Sequence, residues 1–317
     1  MILRPIYEKN YYMFLKPQKE FKAIRNPLTP REKIENMTFI KYKIQVADYS
    51  YLHMGTGLVR PDPNNDITGL DYIKDSKGNP IIPGSSLKGY CRNNYETLVI
   101  GCCFLDFDRR SPVSPCTKEN LKQGNEGVCP ACNLFGMNGL MARISFSDAI
   151  CYDFKGDVIL NIPRLMNPNI KKYVDKTKKV YKFIKFNEDK LKSKKDYIWA
   201  IRPQSKFEGT IQIINLNKDK KELQKIIHSF FNFYKDLTLI LGHGKNIGLG
   251  HCRLISLSIK QIDINNIFEK PEERNINLNL INNSNDVEFG RRSLSNDEFR
   301  WDILETIHQT EGEPYPE

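Results

Sequence analysis

No apolar run in this chain of 317 residues approaches the ~18 to 20 residues that a bilayer-crossing helix needs. The opening stretch MILRPIYEKNYYMF also has no apolar h-region of a secretory leader. A cytoplasmic location is expected, with no membrane partner. There the 8 cysteines are not expected to form a disulfide framework, and clustered ones read as metal ligands. Acidic residues are in deficit: 48 Lys and Arg against 38 Asp and Glu leave a formal net charge of +10. That balance favours a polyanionic partner and says nothing about fold. The one glycine-dense segment lacks the GxxxxGK[ST] order of a P-loop, which argues against a nucleotide site.

What is present is organised around residues 82–98, IPGSSLKGYCRNNYETL. Pro83 and Gly84 end an extended segment, and Ser85 or Ser86 is expected to cap a helix by accepting a backbone N–H. Leu87, Cys91, Tyr95 and Leu98 recur at helical spacing and give the helix a face to bury. Lys88 and Arg92 sit four apart. A glycine turn, free amides, the positive end of the helix dipole and two cations make an anion site suited to a nucleic-acid phosphate. The plain alternative is a capped surface helix.

In chain order, residues 1–35 carry Pro5, Pro17, Pro27 and Pro30 and read as an arm outside the core. Ile40, Tyr42, Ile44 and Val46 alternate with polar residues, the pattern of a half-buried strand that runs on to His53. The polar stretch that follows reads as a long loop with Asp62, Asp66, Asp71 and Asp75. Such carboxylates are turn formers, or hold a metal or water on a bound strand. Residues 101–133 hold Cys102, Cys103, Cys116, Cys129 and Cys132, and four of these five supply a tetrahedral thiolate set for structural zinc. Alternation over 142–152 predicts another strand. Residues 165–200, dense in lysine with interleaved Tyr and Phe and including Lys179 and Lys182, read as a projecting basic hairpin. A strand over 207–216 leads to an amphipathic helix on Leu223, Ile226, Ile227, Phe230, Phe231 and Tyr234. Next come two apolar runs flanking Gly242, Gly244, Gly248 and Gly250, with His243 and Lys245 between them, where glycine permits close approach to a ligand. An Asn-rich extension, 263–317, ends the chain.

Three motifs stand in order: IPGSSLKGYCR, then CPACNLFG with ARISFSDA, then GHGKNIGLGHCRL. Together they resemble the RAMP superfamily of CRISPR-associated proteins, specifically the guide-RNA-binding backbone subunits of type III effector complexes. The resemblance implies an α+β fold: a modified ferredoxin-like, RRM-like core over 36–262 with a β-hairpin thumb and a zinc-binding insertion. It places Ser85, Ser86, Lys88 and Arg92 at the guide backbone, the glycine loop with Gly244 and Lys245 near the RNA, and Lys179 and Lys182 on the thumb. His53 joins this RNA-binding set. It also implies CRISPR guide RNA, target RNA and other RAMP-type subunits as partners. It makes Asp71, with Asp66 as rival, the candidate for cleaving target RNA with Mg2+ or another divalent cation. The alternatives are a non-catalytic capping or structural subunit of the same complex, or a standalone metal-independent guide-processing endoribonuclease using His53 or His243 as general acid and base.

Overall fold

The computed structural model describes residues 3–8, 12–17, 25–99, 102, 116–122, 127–163, 179–182, 195–216, 220–231, 238–245, 248–266 and 271–276. In chain order the elements are β1 (Leu3–Glu8), β2 (Tyr12–Pro17), β3 (Asn36–Val46), β4 (Gly55–Pro61), β5 (Thr68–Tyr72), β6 (Ile81–Ile82), α1 (Gly84–Leu98), α2 (Lys118–Lys122), α3 (Pro130–Phe135), β7 (Ile144–Phe146), β8 (Ala149–Asp153), β9 (Asp157–Pro163), β10 (Lys179–Lys182), β11 (Lys195–Ile201), β12 (Lys206–Ile214), α4 (Lys220–Phe231), β13 (Thr238–Ile240), β14 (His251–Asp263) and β15 (Glu272–Asn275).

The main sheet runs β13-β14-β3-β12-β8-β6, all neighbours antiparallel. Its centre, β14-β3-β12-β8, is the strand order of a ferredoxin-like βαββαβ unit, with α1 after the first strand and α4 after the third. The α+β core expected from the sequence is therefore present. β3 forms because one side of its alternation is apolar: Ile40, Tyr42, Ile44 and Val46 are buried, while Lys41 and Lys43 face water. α4 presents Leu223, Ile226, Ile227, Phe230 and Phe231 to the same core, and α1 adds Leu87, Cys91, Tyr95 and Leu98. Tyr42 meets Phe230 and Phe231 edge to face at 5.4 and 5.7 Å, so sheet and helix lock together there. Truncating Phe230 to Ala would remove about 3 to 5 kcal/mol.

A second sheet, β4-β5-β11-β9, bears on the site, because the stretch read as a long polar loop, residues 60–80, supplies β5 and the turn of its β4–β5 hairpin. The hairpin escapes the alternation test because β4 lies at the sheet edge and leaves even Leu58 and Val59 exposed. β11 and β9 form an antiparallel pair at the base of the expected thumb. Of the stretch between them only β10 is described. It pairs with β2, placing Lys179 opposite Leu15 and Lys182 opposite Tyr12. The 1–35 stretch, read as an arm outside the core, supplies the antiparallel pair β1–β2. The rest of the thumb, the side chains of Lys179 and Lys182, and residues 277–317 lie outside the described residues.

Candidate nucleic-acid interface

α1 starts at Gly84, but not with a serine cap. Pro83 is the N-cap residue, and no side-chain cap hydrogen bond is made by Ser85 or Ser86. The Gly84 N–H instead donates to the Asp148 carboxylate at 2.7 Å. That aspartate comes from the ARISFSDA motif, and a carboxylate is what the positive helix end attracts. The anion site expected at the helix terminus is therefore filled from within, and exposed Ser86 makes no side-chain hydrogen bond among the described residues.

The open site lies along the flank of α1. Ser86, Gly89, Tyr90 and Asn93, spaced three and four apart, form one wall of a groove of about 510 Å³; Met54, Gly55, Ile73, Leu241, Gly242, His243 and Lys245 complete it. The helix and the glycine segment, distant in sequence, thus meet across one groove. Lys245 is exposed and has no ion pair among the described residues. Ser85 is exposed outside the groove lining, and Gly244 is buried in the turn.

Glycines of the 242–250 segment permit close contact of the chain with itself. At Gly242, φ is 79° and a Cβ would stand 2.3 Å from the His53 carbonyl oxygen; at Gly250 it would stand 1.8 Å from that of Leu241. The loop is stitched to 50–54 by His243 N–H to His53 O at 2.9 Å, Gly250 N–H to Tyr51 O at 2.7 Å, and Ser50 Oγ to Gly248 O at 3.0 Å. The glycine with space facing the groove is Gly89, an exposed helix-interior residue whose added Cβ would meet nothing within 4 Å. Sequence reading passed over it; the available signal was a glycine where a helix prefers alanine.

His53 lies behind the wall, 1% exposed, with Nδ1 2.7 Å from the Trp199 carbonyl. The carbonyl only accepts, so Nδ1 carries the proton. Burial holds the imidazole pKa below its ordinary value, against a smaller upward pull from that bond. It shapes the wall from within. His243 stacks edge-on to it at 6.0 Å.

Lys88 and Arg92 are turned to another face of α1, since each residue steps about 100° around the axis. They line a separate cleft of about 480 Å³ with Cys102, Cys116, Cys132, Phe135 and Gly136. Arg92 is already engaged: Nε donates to Glu96 at 2.7 Å and Nη1 to the Gly136 carbonyl at 3.1 Å. Lys88 has no carboxylate partner among the described residues, and burial, then the charge of Arg92, lowers its pKa.

The sulfurs of Cys102, Cys116, Cys129 and Cys132 lie within 4.8 Å of one another, all buried. Cys102 Sγ stands 3.5 Å from Cys129 Sγ and 3.6 Å from Cys132 Sγ. Tetrahedral zinc with bonds of about 2.3 Å separates its thiolates by about 3.8 Å, so the cluster has the size such an ion requires. Cys103, the alternative to Cys102, lies outside the described residues.

Asp71 stands on β5 with both carboxylate oxygens occupied: Oδ1 is 3.3 Å from Arg60 Nε and Oδ2 is 3.0 Å from Lys74 Nζ. Arg60 also bonds Asp157 at 2.5 Å and lies 3.8 Å over the Trp199 ring. Asp66 sits in the β4–β5 turn. Among the described residues only the four cysteines bring three or more metal-binding side chains together. Asp71 belongs to no such group among the described residues.

The RAMP superfamily profile matches residues 50–253, from the segment between β3 and β4 to the start of β14. The chain belongs to the RAMP superfamily. The matched span of this RAMP protein contains the groove, the cysteine cluster and both core helices. The fold is similar to a chain of the Csm3-Csm4 subcomplex in the type III-A CRISPR-Cas interference complex, at 16% identity and TM-score 0.43, over 79% of this chain and 95% of that one. It is also similar to a chain of the type III-B Cmr-beta complex bound to cognate target RNA, at 15% identity and TM-score 0.39, over 71% of this chain and 61% of that one. No curated protein matches.

Proposed function

We propose that this RAMP protein is an RNA-binding subunit of a type III CRISPR effector ribonucleoprotein, holding guide RNA in the groove between α1 and the 241–245 turn. Gly89 carries the reading: an exposed glycine inside a 15-residue helix gives up about 1 kcal/mol relative to alanine, yet among the described residues no other segment comes within 4 Å of its vacant Cβ position. A ribose-phosphate chain lying against the helix would use it. Lys245 supplies a cation for a phosphate, the Ser86 hydroxyl a short polar contact, and the net charge of +10 attracts the polyanion. Target RNA and further RAMP-type subunits are the partners this role implies.

Zinc is the metal we assign to Cys102, Cys116, Cys129 and Cys132, in a structural role: the four thiolates fill its tetrahedral shell and leave no open position for chemistry.

The engagement of Asp71 by Arg60 and Lys74 supports the non-cleaving form of the subunit. Asp71→Asn in the assembled complex tests this: an unchanged target-RNA cutting pattern agrees, and loss of one cut with binding retained assigns Asp71 to cleavage. The function itself is tested by purifying the native complex and sequencing its RNA. Short RNAs sharing one repeat-derived end support it; absence of RNA at low salt refutes it.

A further inference from the structure

Arg92 has a position that RNA binding does not explain. Its guanidinium is held on two sides, by Glu96 at 2.7 Å and by the Gly136 carbonyl at 3.1 Å. Gly136 is the C-cap of α3, the short helix that begins at its N-cap Cys129 and contains Cys132. Its own N–H bonds the Cys132 carbonyl at 3.0 Å. Arg92 therefore grips the far end of the element that presents two of the four thiolates. It also shares a cleft with Cys102, Cys116 and Cys132. A divalent ion with four thiolates carries a net double negative charge, and a buried charge of that size needs a compensating partner close by. Lys88, one turn earlier, shares the cleft without a carboxylate partner among the described residues.

We infer that Arg92 is a counter-ion and positioning residue for the four-cysteine metal centre, not an RNA contact. The inference rests on the cysteine cluster holding a metal. The guanidinium balances part of the thiolate charge while its bond to Gly136 fixes α3 against α1. Glu96 holds the plane of the guanidinium by its Nε edge. Metal loading and the placement of α1 are then linked, and the opposite flank of α1 lines the RNA groove. Groups outside the ligand shell commonly change metal affinity by about 10- to 100-fold when replaced.

The test uses the full-length protein and its Arg92→Gln, Arg92→Lys and Lys88→Gln variants. Zinc affinity is read by competition with a chromophoric chelator, cobalt(II) absorption reports the thiolate shell, and RNA affinity is followed against salt in metal-saturated protein. Arg92→Gln is expected to weaken zinc binding about 10- to 100-fold and shift the cobalt spectrum, with Arg92→Lys recovering most of the loss because it restores the charge. Lys88→Gln, which shares the cleft but makes no bond to α3, is expected to bind zinc like the parent protein; Arg92→Gln keeps the parent RNA salt slope. Parent-like zinc affinity in Arg92→Gln, no recovery in Arg92→Lys, or a reduced slope in Arg92→Gln overturns the inference. A parent protein that binds neither zinc nor cobalt overturns the metal reading beneath it.

Discussion

Replacing Gly89 separates stability from binding, which most substitutions in a binding site confuse. Gly89 is exposed, lies within the 15 residues of α1, and beyond the helix's own backbone no atom of the described residues comes within 4 Å of where a Cβ would stand. Gly89→Ala loses no contact and gains the helix preference of alanine, about 0.8 to 1.0 kcal/mol. Gly89→Gln gains somewhat less and carries its side chain into the groove, where it competes for the space assigned to the sugar-phosphate chain. Urea unfolding is expected to show a higher midpoint with an unchanged slope for both variants. Fluorescence anisotropy with a single-stranded RNA is expected to show at least about tenfold weaker binding for Gly89→Gln, equivalent to about 1.4 kcal/mol, and a smaller loss for Gly89→Ala. A Gln variant that is more stable and binds RNA as tightly as the parent would refute the placement of the RNA.

The remaining expectations follow from other parts of the fold. Gly242→Ala forces a Cβ to 2.3 Å from the His53 carbonyl at a φ of 79°, and should lower stability by more than about 1 kcal/mol in urea unfolding, where ordinary Gly→Ala changes stay within it; an unchanged midpoint contradicts the stitching described. His228, fully buried in α4, has its pKa pushed down to about 3 by desolvation. The folded state then binds fewer protons than the unfolded state between about 3 and 6.5, so this contribution is complete above pH 6.5 and falls by up to about 1.4 kcal/mol per unit as pH drops. His53 is shifted in the same direction. His228→Leu should flatten the acid limb, and an identical limb rejects the assignment. Strong chelation or Cys129→Ser should release one equivalent of zinc and expose the remaining thiols to an alkylating probe, whereas unaltered thiol protection would mean that no metal holds the cluster.

The parts of the fold legible in the sequence are those where one element sees core and solvent on opposite faces. The alternation of β3 and the 3.6-residue pattern of α4 belong to that class, and the faces read from sequence are buried as expected, Tyr234 lying outside the described residues. Edge strands carry no such contrast, which is why the β4–β5 hairpin read as loop. In the site, residue chemistry was legible and direction was not. The spacing of Lys88 and Arg92 says that they share a face; only the packing of α3 against α1 determines that this face meets the cysteines rather than the glycine turn. Asp148 escaped notice as a cap because it lies 64 residues from the amide it accepts. The glycines after β13 were legible as points of close approach; what Gly242 and Gly250 approach within the chain, the His53 and Leu241 carbonyls, needed the structure.

Ultraviolet crosslinking of the native RNA-bound complex, with mass spectrometry of the RNA-modified peptides, tests the groove most directly. Adducts are expected on the peptides carrying Ser86 to Asn93 and His243 to Lys245. Adducts confined to other surfaces, with both of these peptides unmodified, would contradict it.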